Sequence, residues 1–146
     1  MREQDDLVVE HEPDQDDLAF LEEHLAQEAL RVVDAGAEEE FGIFVRDDAG
    51  TIVAGVSGAL WGGGCQIHVV WVDPARRGRG LAARLLAAAE EEARSRGCRL
   101  VHGITYDALT AGYYDRLGYR TIGVIEDCPS GTTTRWYRKD LVAPLP

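Results

Sequence analysis

The sequence predicts a mixed fold in the α/β to α+β range: one central β-sheet with helices on its faces, in the order β-α-β-β-β-α-β-α-β-β. Three observations lead there. Apolar residues recur at helical spacing in two long stretches, 14–36 and 80–97, and in a short one at 109–117. The segments between them alternate or are β-branched throughout, as strands do. Turn residues at Asp47–Gly50 and Gly62–Gly64 join three of those strands into a meander before the second helix. The 146 residues, 45% hydrophobic and 28% charged, suit a single domain with one core.

Taken in order, residues 1–6 are polar and read as frayed, and "LVVEHE" reads as a short first strand. "DQDDLAFLEEHLAQEALRVVDAG" reads as a helix. Asp14 or Asp16 is its cap, acids fill its first turn, and Leu18, Leu21, Leu25, Ala29 and Val32 share one face before Gly36. "EFGIFVRDDAGTIVAGVSGALW" gives two strands, and "CQIHVVWVD" a third with β-branched residues on both faces, as in a central strand. "GLAARLLAAAEEEARSRG" is a helix with Ala82, Leu85, Leu86, Ala89 and Ala93 inside, Glu90 to Glu92 mainly outside, and Gly97 as its stop. "CRLVHGITY" is a strand and "LTAGYYDRL" a short helix. "YRTIGVIED" and "TTTRWYRKDL" close the sheet, and residues 142–146 read as frayed. Neither repeats nor low-complexity tracts occur.

A formal charge of −11 and a pI near 4.7 argue against duplex nucleic acid and anionic membranes as partners, since both need a broad basic face. The first residues carry no apolar run, so no signal peptide or transmembrane segment is expected there. Cys65, Cys98 and Cys128 lack metal-ligand spacing and read as reduced thiols of a cytoplasmic protein; no metal is expected.

Against that acidic background, "VDPARRGRGLAARLL" gathers Arg76, Arg77, Arg79 and Arg84 beside Gly78 and Gly80 where a strand passes into a helix. A helix start leaves N–H groups unpaired and carries the positive end of the dipole. Glycine lets the backbone approach an oxygen-rich ligand, and arginine binds phosphate bidentately. A pyrophosphate suits such a place, and a solvated basic turn is the plainer alternative. No Gly-Lys-Ser/Thr follows, so a P-loop does not fit.

The stretch resembles the acetyl-CoA signature of the GNAT superfamily of N-acetyltransferases, R/Q-x-x-G-x-G/A, with Arg77, Gly80 and Ala82 at its fixed positions. "YDALTAGYYDRLGY" resembles the second signature, in which an aromatic-Tyr pair precedes x-K/R-x-G-F/Y. The resemblance covers about residues 7–141. It implies a splayed sheet in which Gln66–Val72 parts from Leu100–Tyr106, with acetyl-CoA as acyl donor in the gap. Backbone groups near Val70 and Val72 would hold the pantetheine arm. The amides from Arg77 through Gly78, Arg79, Gly80 and Leu81 to Ala82 would hold the pyrophosphate. Asp107 stands where many relatives have an asparagine that touches the coenzyme, and the acid is a departure.

For chemistry, the resemblance gives Tyr114 the role of general acid toward the leaving thiolate, with core packing as the alternative. His68 is the candidate base, on the strand that would face the acceptor; a hydrogen-bonded structural histidine is the alternative. His102 reads as structural, and His11 and His24 as surface residues. The acceptor implied is a primary amine of a small molecule or peptide. The acids of the N-terminal region and Glu38 to Glu40 would suit a cation, or simply confer solubility. Trp61 and Trp71 read as stacking or packing residues. A homodimer is the assembly allowed for. The competing readings are a non-catalytic acyl-CoA sensor on the same fold and a generic nucleotide-binding module.

Overall fold

The computed structural model describes residues 5–110 and 112–142. The segment ending at Asp34 carries one helix, α1 (Gln15–Val32). Asp14 caps it, its carboxylate accepting from the Asp16 N–H at 2.8 Å, with Asp16 and Asp17 in the first turn where the dipole favours acids. The helix stops at Val33, before the expected Gly36.

The first expected strand does not form. Residues 7–12 are irregular, because a strand exists only when its N–H and C=O groups find a neighbouring ladder, and the described ladder begins with the strand at Glu39. The observed order is therefore α-β-β-β-α-β-α-α-β-β, with the rest of the expected sheet in place.

From Ala35 on, six strands make one sheet: β1 (Glu39–Arg46), β2 (Ile52–Trp61), β3 (Gly64–Val72), β4 (Leu100–Tyr106), β5 (Arg120–Glu126) and β6 (Thr133–Asp140). Their spatial order is β1-β2-β3-β4-β6-β5. The β1–β2 turn closes on Asp47, whose carboxylate accepts from the N–H groups of Ala49 and Thr51 at 3.0 and 2.9 Å. Every neighbouring pair is antiparallel except β3 and β4, which run parallel because α2 (Leu81–Ser95) carries the chain back across the sheet. The last expected helix is two short ones, α3 (Asp107–Thr110) and α4 (Tyr113–Arg116).

The core lies between α2 and the sheet. Leu85, Leu86, Ala89 and Ala93 face Val56, Cys65, Val101 and Tyr137, as the helical spacing requires. Glu90 corrects the expected outer face, for it is buried. Its carboxylate takes an ion pair from Lys139 of β6 at 2.5 Å and a hydrogen bond from the Tyr119 hydroxyl at 3.4 Å. A buried acid is stable only with such partners. Burial, with Glu90 beside it, raises the Tyr119 phenol far above its usual range. Burial also pushes the Cys65 thiol up to about 12, and Cys65, Cys98 and Cys128 are all free thiols. No described helix is long and apolar enough to cross a membrane.

Candidate active site

The site begins as a break in the sheet. β3 and β4 pair only from Gly64 with Leu100 to Ile67 with Gly103, then part. The cause sits in β3. Against β2, Ser57 faces Val69 and Gly58 faces Ile67, so His68 is an extra residue, a β-bulge. Gly58 is required beside it, because a Cβ there would collide with the Gln66 carbonyl. The bulge shifts the alternation of the strand: Cys65 and Ile67 face the core before it, Val70 and Val72 after it.

It also aims backbone groups into the gap. The Asp73 N–H donates to the Val53 carbonyl at 2.8 Å, which makes Asp73 and Val53 a hydrogen-bonded pair across β2 and β3. Alternation makes Trp71 with Gly55 the next bonded pair and turns the N–H and C=O of Val70 and Val72 away from β2, toward the side that β4 has left. The Val72 carbonyl is taken by Arg77, whose Nε donates to it at 3.0 Å. That bond pins the following loop to the end of the strand.

The loop then delivers α2. Gly80 is its N-cap at φ 74°, with no side chain capping the helix, and Gly78 sits at φ 77°. Both are left-handed positions that suit glycine, and a Cβ at either would meet only open space. The first helical bond runs from Arg84 N–H to the Gly80 carbonyl, so the N–H groups of Leu81, Ala82 and Ala83 lack helical partners. These features border one cleft of about 950 Å³, which Arg77, Gly78, Gly80, Leu81 and Ala82 line at one end. Arg76 joins them, while Arg79 and Arg84 are exposed and outside the lining.

Tyr114 lines the same cleft. Its ring stacks on Tyr137 at 5.1 Å and meets Tyr119 edge-on at 5.5 Å. Burial raises its phenol above the usual range, with Tyr113 and Tyr137 adding, and its hydroxyl has no hydrogen-bond partner among the described residues. His68 lines the cleft from the bulge. Asp107 does not line it. Its carboxylate is held by Arg135 through two bonds of 2.7 Å, which ties the start of α3 to β6 and keeps the acid well below the usual carboxylate range. The structure thus brings together the strand backbone, the helix start, His68 and Tyr114, and leaves out Arg79 and Asp107.

Sequence reasoning missed the pairing of His102 with Trp136, whose indole Nε1–H donates to the His102 Nδ1 at 3.1 Å. It also missed the ring cluster around Tyr114. Both depend on which strand lies beside β4, and nothing local in the sequence says so.

A mixed sheet forked between two parallel strands, with an uncapped glycine-rich helix start at one end and a half-buried tyrosine lining the cleft, is the architecture of an acyltransferase. Residues 4–119 match the model of the Acetyltransferase (GNAT) family, and the chain belongs to that family. It is 34% identical over 120 residues to a blasticidin-S acetyltransferase of Streptomyces morookaense, covering 80% of this chain and 88% of that protein. A crystal structure of an acetyltransferase from Bacillus cereus superposes with a TM-score of 0.79 at 25% identity, covering 91% and 97% of the two chains. An aminoglycoside 6'-N-acetyltransferase complexed with coenzyme A shares the fold, with a TM-score of 0.63 at 21% identity over 74% and 76%.

Proposed function

We propose that the enzyme transfers an acetyl group from acetyl-CoA to a primary amine of a small molecule or peptide by direct attack. The observation that carries this reading is the convergence in one cleft of three things: the backbone N–H and C=O of Val70 and the N–H of Val72, turned away from β2, the uncapped start of α2, and Tyr114. Coenzyme A fits these groups. Val70 and Val72 offer an edge to its amide-bearing arm, and the N–H groups at Leu81 and Ala82, with Arg77, Gly78 and Gly80 around them, suit its pyrophosphate. Asp107 acts only through Arg135, as a brace for α3. The names of the blasticidin-S and aminoglycoside relatives support an acceptor of small-molecule kind.

Bound acetyl-CoA supplies a thioester. The neutral amine attacks its carbonyl carbon, forming the C–N bond as the C–S bond breaks. Tyr114, which burial keeps protonated at neutral pH, gives its proton to the departing sulfur. His68 takes the proton that the amine sheds and passes it to solvent, and solvent returns one to Tyr114.

The test is a panel of amines with acetyl-CoA, read by released thiol. Release should require an amine and rise between pH 6 and 8.5 as more of the amine becomes neutral. Release only with alcohols, or a rate falling over that range, overturns the reading. Gly80→Asn and Gly80→Asp locate the donor: both side chains tolerate the left-handed backbone and differ in charge. By calorimetry the Asp variant should bind acetyl-CoA at least about tenfold more weakly than the Asn variant, as expected for a charge set against a phosphate.

A further inference from the structure

The cleft holds a histidine that the chemistry above does not use. His102, on β4, pairs directly with Arg138 of β6, so Trp136, two residues away on β6, is its diagonal neighbour on the same face of the sheet. The two rings lie 5.8 Å apart at 41°, and the indole Nε1–H donates to Nδ1 at 3.1 Å. An indole N–H only donates. Nδ1 therefore accepts, and the neutral imidazole carries its proton on Nε2.

A second proton would have to enter at Nδ1, facing the indole hydrogen. The titratable and charged groups facing the ring oppose it too: Arg138 from β6 and His68 from β3, beyond the burial that already pulls the imidazole below its usual range. The Nε2 end has no partner among the described residues, and no fully buried side-chain nitrogen or oxygen there lacks one. Nε2 therefore reaches open space, and His102 lines the cleft.

We propose that His102 is an acceptor-binding residue, held by Trp136 in the tautomer that presents an Nε2–H donor, which selects amines that carry a hydrogen-bond-accepting atom close to the reacting nitrogen. This rests on the acetyltransferase reading above. Such an atom is a carbonyl, carboxylate or ring nitrogen, all of which take a hydrogen bond from a neutral donor. Trp136 is the positioning residue, acting through His102.

Two measurements test this. In nitrogen-resolved NMR of the full chain, the neutral His102 ring should carry its proton on Nε2, and its titration midpoint should lie below the ordinary value of about 6.5. In Trp136→Phe its midpoint should move up toward the ordinary value of about 6.5. A parent ring that titrates at the ordinary value, or that carries its proton on Nδ1, overturns the lock. For selectivity, phenylalaninamide is compared with phenethylamine, which shares its ring and amine and lacks the amide. The amide's less basic amine favours it with parent and variant alike, so the change in the kcat/KM ratio between them reports the hydrogen bond. His102→Phe should lower that ratio about tenfold, as the loss of one hydrogen bond allows. His102→Gln, whose amide N–H stands near the lost Nε2–H, should restore most of it. Turnover whose ratio is unchanged in His102→Phe overturns this proposal alone. No turnover with any amine of the panel overturns the acetyltransferase reading and this proposal with it.

Discussion

Rings hold Tyr114: Tyr137 and Tyr119 fix its plane, and its hydroxyl has no hydrogen-bond partner among the described residues. Tyr114→Phe keeps the packing and removes the proton donor. Turnover should fall at least about tenfold, allowing for partial rescue by water, while acetyl-CoA affinity by calorimetry and the melting temperature stay near the parent values. Near-normal turnover would leave Tyr114 as a packing residue. Asp107 shows the opposite economy, with both carboxylate oxygens spent on Arg135. Its acid is held below the unfolded value, so its contribution to stability is complete above the ordinary aspartate pKa and is lost as pH falls through the lower folded value. Asp107→Asn should melt below the parent at pH 7. The gap should close as the pH drops below about 4, and a gap that stays constant into acid would mean that the pair does not act through charge.

At the scale of the element, the bulge in β3 does more than its single residue does. His68 is exposed, so His68→Ala should change stability by no more than about 0.5 kcal/mol. Deleting His68 is another matter. It restores simple alternation and rotates Val70 and Val72 off the core face that they share with Cys65 and Ile67. Exposing Val72 and the half-buried Val70 should cost about 2 kcal/mol or more in urea denaturation. A deletion variant as stable as His68→Ala would mean that the strand tolerates either register. The same bulge turns the strand away from β4, so the cleft and the core alignment share one cause.

Across the whole molecule, charge is distributed unevenly. The chain carries 26 acids against 15 lysines and arginines, yet one end of the cleft is lined by Arg76 and Arg77 at an uncapped helix start. A basic pocket on an acidic body suits a small phosphorylated ligand and not a polyanion. The body as a whole should behave as an acidic protein: solubility should pass through a minimum near its pI of 4.7, read by light scattering across a pH series. A minimum above neutrality would contradict that charge balance.

The sequence by itself determined the strand and helix periods, the Asp47 turn, the inner face of α2 and the glycine-rich start of that helix, because each depends on residues within a few positions of one another. Tyr114 and His68 were legible as candidates, since the second signature and a titratable residue on the third strand of the meander are also local. Only the tertiary structure decided the rest. The segment 7–12 is apolar enough to read as a strand but is irregular, because ladder bonds need a partner. Glu90 looked outward by helical spacing until Lys139 and Tyr119, from 49 and 29 residues away, gave it a buried charge partner and a donor. β6 sits between β4 and β5, and that insertion sets Trp136 against His102 and Arg135 against Asp107. Pairing at such separations is chosen by the burial and hydrogen bonding of the assembled sheet, and no short window of sequence contains both partners.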